Sequence, residues 1–185
     1  AALAQDPDAY EARIALLRSE RARLAAGDPA SLALAAPLVD PARAVVAGWS
    51  HEARHDWPAL RGLELRLAVA RPGDAIYGDA LRLRAAWRSA SGEPAQATAA
   101  LALLDLVLPM SVEPDDYVLR ARAAEAAGDA GTALESLAQA LESTTPGAFR
   151  AVATRAAAEL TTLPPAPDLA EPRADLERKI AVFLQ

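Results

Sequence analysis

A small residue recurs about every 36 positions along this chain: Gly48, Ala85 and Ala121 each sit in a helix-forming stretch, followed by a turn and a second, alanine-rich stretch. A unit of this length is one helical hairpin, which cannot bury its apolar face alone and must stack on its neighbours. The period therefore restricts the chain to a stack of hairpins that touch at their small residues. Composition points the same way. Alanine supplies 49 of the 185 residues, against eight Phe, Trp and Tyr, and alanine has the highest helix propensity while letting backbones approach closely. Runs with strand character are absent, and 52% hydrophobic content at 24% charge excludes wholesale disorder.

The formal charge of -6 disfavours nonspecific binding to nucleic acid or anionic lipid, which needs a surplus of Lys and Arg on one face. Of the 19 basic residues only Lys179 is lysine, a bias of the kind that GC-rich bacterial coding produces. With no cysteine, disulfides, thiolate zinc sites and thiol nucleophiles are all excluded, and the redox compartment stays open. Ala2-Leu3-Ala4 before Gln5 fits the small-x-small tail of a secretory signal, so the expected setting is the periplasm, downstream of a removed leader or anchor. The cytoplasm is the alternative. The most apolar run, 99–108, is too short to span a bilayer and contains Asp105.

Helix punctuation is explicit. Asp28-Pro29, Asp40-Pro41, Thr145-Pro146 and Glu171-Pro172 place a polar residue before proline, which suits an N-cap and first helical position. Gly27, Gly92 and Gly128 are matching stops. These signals predict helices near 7–26, 29–37, 41–54, 57–70, 75–90, 94–107, 114–127, 130–143, 147–160 and 169–184. Pro164, Pro165 and Pro167 predict an extended link before the last of them.

The repeat is clearest over 115–146, where Tyr117, Ala121, Gly128, Ala133, Leu137 and Ala140 follow a large, small, turn, small, large, small order. Ala121 and Ala133 would be the contact between the two helices of a hairpin. Gly128 would end the first helix in the left-handed conformation, and Asp129 would cap the second. Leu81, Ala85, Gly92, Ala97, Leu101 and Leu104 repeat the order one unit earlier; Gly48, His55, Leu60 and Leu67 form a degraded copy with His55 at the glycine position. In this pattern residues 41–146 resemble the tetratricopeptide-repeat family, although the period exceeds the family's usual 34 residues and residues 7–26 do not fit it. The resemblance implies an all-α, right-handed α-solenoid of helical hairpins. In a single domain, 1–38 would be an N-terminal hairpin, 39–146 three repeat-like hairpins and 147–185 C-terminal helices that include a capping helix.

That resemblance also implies a concave groove lined by the first helix of each hairpin. Carried over position by position, its wall comprises Trp49, Glu52, Asp79, Arg82, Ser89, Asp115, Val118, Arg122 and Glu125. Such a surface suits another protein or an extended peptide. The expected function is a noncatalytic scaffold or adaptor, an assembly or accessory factor of the bacterial envelope, with no cofactor and no metal.

One motif favours a different reading. His51-Glu52-Ala53-Arg54-His55 matches H-E-x-x-H, in which two histidines one helical turn apart bind zinc and the glutamate activates water. A zinc peptidase is thus an alternative, as is a cytoplasmic helical-repeat regulatory domain of a larger protein. Against the peptidase, no third ligand follows at a suitable spacing, Arg54 would bring a cation to the metal, and Trp57-Pro58 ends the helix. Repeat register instead places His51 toward the hairpin core and His55 at the turn. No phosphate loop or nucleophile elbow is present. Asp115-Asp116 at a helix start complements the helix dipole, and Trp49, Trp57 and Trp87 are spaced for interhelical packing.

Overall fold

The computed structural model describes residues 40–68, 70–110 and 113–185, and every regular element among them is a helix. The helices expected at 7–26 and 29–37, and with them the N-terminal hairpin 1–38, lie outside the described residues. The chain divides into two compact units, Ala1–Trp87 and Arg88–Gln185.

The first unit contains α1 (Asp40–Ala53), α2 (Trp57–Gly62), α3 (Glu64–Leu67) and α4 (Tyr77–Ser89) as far as Trp87. Val45, Leu60, Leu67, Ile76 and Leu83 are among its fully buried side chains. Gly48 is what lets α1 approach them: a Cβ there would stand 2.6 Å from Leu83 Cδ1 and 3.3 Å from Leu60 Cδ1. The single helix expected over 57–70 is instead two, parted at Leu63, whose N–H bonds Leu60 O at 3.0 Å in a tightened turn. Gly62 weakens the helix at that point, since glycine loses the most backbone freedom on becoming helical.

The second unit contains α5 (Pro94–Val107), α6 (Pro114–Ala127), α7 (Ala130–Glu142), α8 (Phe149–Thr162) and α9 (Ala170–Leu184). The bounds of α5 and α6 coincide with those read from the sequence. Their C-terminal neighbours pack in sequence order around a core that includes Val118, Ala121, Ala133, Leu137, Ala140, Val152, Ala156, Leu160, Leu176 and Ile180. Ala121 and Ala133 are 2% and 0% exposed. Phe149 and Phe183 stack with ring centroids 4.8 Å apart, joining α8 to α9. Thr145-Pro146 opens a short 3-10 turn, Pro146–Ala148, rather than α8 itself. Glu171-Pro172 likewise does not cap α9, which begins at Ala170 after a 3-10 turn over Pro167–Leu169. Pro172 falls in the first turn of α9, where the missing N–H has no intrahelical partner to lose.

One construction is written twice in the backbone. At the end of α6, Gly128 N–H bonds Glu125 O at 2.9 Å and Asp129 N–H bonds Ala124 O at 2.8 Å; at the end of α1, His55 N–H bonds Glu52 O at 2.9 Å and Asp56 N–H bonds His51 O at 2.9 Å. This paired closure of a helix end requires a left-handed residue, and φ is 81° at Gly128 and 55° at His55. The aspartate that follows then caps the next helix, Asp129 accepting from Thr132 N at 2.9 Å and Asp56 from Ala59 N at 3.3 Å. Gly92 supplies another left-handed residue, φ 72°, between α4 and α5. His55 is the non-glycine among the described left-handed residues. His55→Gly should therefore raise stability by about 0.5–1 kcal/mol, whereas Gly128→Ala should lower it by about 1 kcal/mol or more. Urea denaturation of the two variants checks this, and effects of the same sign would contradict it.

Asp129 offers a test with a pH signature. The Thr132 backbone N–H, then the Thr132 hydroxyl, hold its carboxyl below the usual carboxylate range. A depressed carboxylate stabilises the fold above its unfolded pKa, and the contribution is lost as pH falls through the folded value. Asp129→Ala should cost about 1 kcal/mol at neutral pH. The difference from wild type should shrink once acid has protonated the carboxyl in both folded and unfolded chains, and a gap that persists in acid would mean the carboxylate is not the cap.

Candidate functional site

In the first unit, α1 carries Trp49 and Glu52, and α4 carries Asp79 and Arg82. Glu52 and Arg82 meet: Arg82 Nη1 donates to both carboxylate oxygens, at 2.9 and 2.8 Å, with each side chain about a quarter exposed. Trp49 and Asp79 are partly buried. Ser89, in the second unit, is partly buried at the end of α4.

In the second unit, the first-helix positions form a polar strip against α8. Arg155 Nη2 donates to Asp115 Oδ1 at 2.7 Å, Arg122 Nη2 to Glu159 Oε1 at 2.6 Å, and Thr162 Oγ1 to Glu125 Oε2 at 3.0 Å. The Glu159 hydrogen bond, strengthened by the charges of Glu159, Asp115 and Glu125, raises the Arg122 pKa above its ordinary value. Asp115 and Arg122 keep about half of their side chains exposed, so the strip remains open to water. Val118 is different. Placed on the groove wall by register, it is 3% exposed and belongs to the core with Ala121 and Leu137. Of the acidic pair, Asp116 is also buried, at 2%, while Asp115 carries the exposed charge at the start of α6.

The H-E-x-x-H residues are occupied otherwise. α1 ends at Ala53, and His55 lies beyond it in the left-handed conformation, so the two histidines do not share the continuous helical turn that metal binding by this motif requires. His51 Nδ1 lies 3.2 Å from Asp56 Oδ2, and His55 meets Trp57 edge-on with centroids 5.3 Å apart. Glu52 is held by Arg82. Among the described residues, no group of three or more His, Asp and Glu side chains is arranged to hold a metal ion.

Sequence reasoning missed a second polar cluster. Glu64 accepts from Arg84 Nε at 2.9 Å and from Trp87 Nε1 at 2.7 Å, and the Arg61 guanidinium lies 5.8 Å over the Trp87 ring. The helix-packing role expected of Trp87 fits its 7% exposure. What the spacing does not reveal is that Glu64, 23 residues away, receives its indole N–H. No protein-family model, curated protein or solved structure matches the chain.

Proposed function

We propose that this protein is a noncatalytic helical-repeat scaffold of tetratricopeptide-like, right-handed build, which holds another protein or peptide as an accessory factor of the bacterial envelope. The observation that carries the reading is the duplicated closure at His51–Asp56 and Ala124–Asp129. There the same two backbone bonds, left-handed residue and capping aspartate recur two repeats apart. Stacked hairpins expose their first helices along one face, a surface on which extended segments are recognised. The polar strips at Glu52–Arg82 and along α6 supply both signs of charge for encounter and register, which is what rim charges contribute more than affinity.

Exchanging partners within a pair tests this without opening the fold. Glu52→Arg with Arg82→Glu, and separately Arg122→Glu with Glu159→Arg, invert the local field while keeping an ion pair, so each swap should change stability by no more than about 1 kcal/mol. At least one should abolish recovery of the protein partner by affinity capture. Arg150→Glu is the matched control; Arg155 is unsuitable because it bonds Asp115. Both swaps capturing the same partner as wild type would exclude the first-helix strips as the recognition surface.

A further inference from the structure

The hairpin α6–α7 and the pair α8 and α9 are joined by a seam with a simple construction. Its floor is apolar, and polar pairs edge it on both sides: Asp115, Arg122 and Glu125 of α6 reach Arg155, Glu159 and Thr162 of α8, and Lys179 Nζ of α9 donates to Glu142 Oε1 of α7 at 3.2 Å. First helix meets first helix, and second meets second. At about 100° per residue, Ala157 and Thr161 lie on the flank of α8 opposite Arg155 and Glu159. On that flank α8 and α9 enclose a groove of about 280 Å³, with Ala157, Leu160, Ile180, Ala181 and Leu184 as its apolar surface and the ion-paired Arg173 and Glu177 both among its lining.

The construction of the filled seam is thus repeated on the other flank of α8, where no helix among the described residues is seated in the groove. We propose that this groove seats an amphipathic helix of a partner protein, with an apolar stripe at i, i+3 or i+4, and i+7 and a Lys or Arg on the flank that meets Glu177. The shape argues for a helix, because the furrow between two packed helices accepts the side-chain ridge of another, as the furrow of α6–α7 accepts α8. The charge follows from Glu177. It is more than half exposed, and its ion pair with Arg173 is made through Nε alone, at 3.4 Å to Oε1, while the Arg173 terminal nitrogens bond Leu160 O and Leu163 O at 2.8 and 3.1 Å. A basic segment is favoured over a second copy, which would bring another -6 of net charge.

The inference rests on the scaffold reading only in taking the occupant to be a protein segment. Its test uses the full chain and a displayed library of helices of 14 residues, the length of α8, with randomised flanks on an apolar stripe. Enriched peptides should carry Lys or Arg on one flank. Ala181→Glu, which sets a charge into the groove, should weaken their binding roughly tenfold or more; Glu177→Lys should reverse their charge preference, and Leu106→Glu on α5 should leave binding unchanged. Peptides lost with the Arg122–Glu159 swap but retained by Ala181→Glu would overturn the groove site and leave the scaffold reading standing. So would a library that yields no binder while the natural partner is still captured through the strips. A dimer that Ala181→Glu converts to monomer would identify the occupant as a second copy and overturn the proposal.

Discussion

Truncating Trp87 to Ala should cost about 3–5 kcal/mol, among the largest single-residue effects expected in this chain. The side chain is 7% exposed, and its removal leaves a cavity while depriving Glu64 Oε2 of the indole donor at 2.7 Å. The two contributions can be separated. Trp87→Phe keeps most of the apolar volume but withdraws the N–H from a carboxylate that then has only Arg84 of this donor pair, so it should cost about 1–3 kcal/mol. Urea unfolding followed by ellipticity gives both numbers. If the Phe variant lost as much as the Ala variant, the hydrogen bond rather than the packed ring would dominate this cluster.

Enlarging Ala121 or Ala133 to Leu should destabilise the second unit by about 1–3 kcal/mol each, because neither site has room for more methyl groups and the opposing helix must move. At 2% and 0% exposure they sit inside the α6–α7 contact, whereas Ala126 on the same α6 is partly exposed. Ala126→Leu should change the melting temperature little. The double variant Ala121→Leu with Ala133→Leu should lose less than the sum of the single losses, since the first enlargement already parts the helices the second would part. Equal melting temperatures for all single variants would remove the small-residue contact as the organiser of the hairpin.

What could be read in advance was whatever depends on neighbours along the chain. The helix starts expected at 94 and 114 are those of α5 and α6, each at a proline, and glycine marked the turns at Gly92 and Gly128, because φ is a local property. Even His55 at a glycine position was legible, since repeat register carries the backbone requirement with it. The break at Leu63 was harder to read: it depends on how weakly Gly62 holds a short helix. Among the site positions, register identified the first-helix face but not what that face meets. Arg122 and Asp115 were placed on a groove wall, yet their partners Glu159 and Arg155 lie on α8, beyond the repeat pattern that was traced. Val118 shares a face with Asp115, three residues before it, and Arg122, four after it; α8 packs against that face, so its apolar member is buried while the charged ones pair at the edge. Pairings of this range, such as Glu64 with Trp87, depend on tertiary packing rather than on local spacing.

The division at Trp87 gives the molecule an optical asymmetry. All three tryptophans, Trp49, Trp57 and Trp87, belong to residues 1–87, and none lies in 88–185. Intrinsic indole fluorescence is therefore silent about the second unit, while far-ultraviolet ellipticity sums the helices of both. Overlaying the two denaturation curves measures how far the units unfold as one: coincident midpoints report a single cooperative block, and a fluorescence transition displaced from the ellipticity transition reports two. The wild-type chain thus carries an internal reporter of cooperativity between neighbouring hairpins, with no label attached.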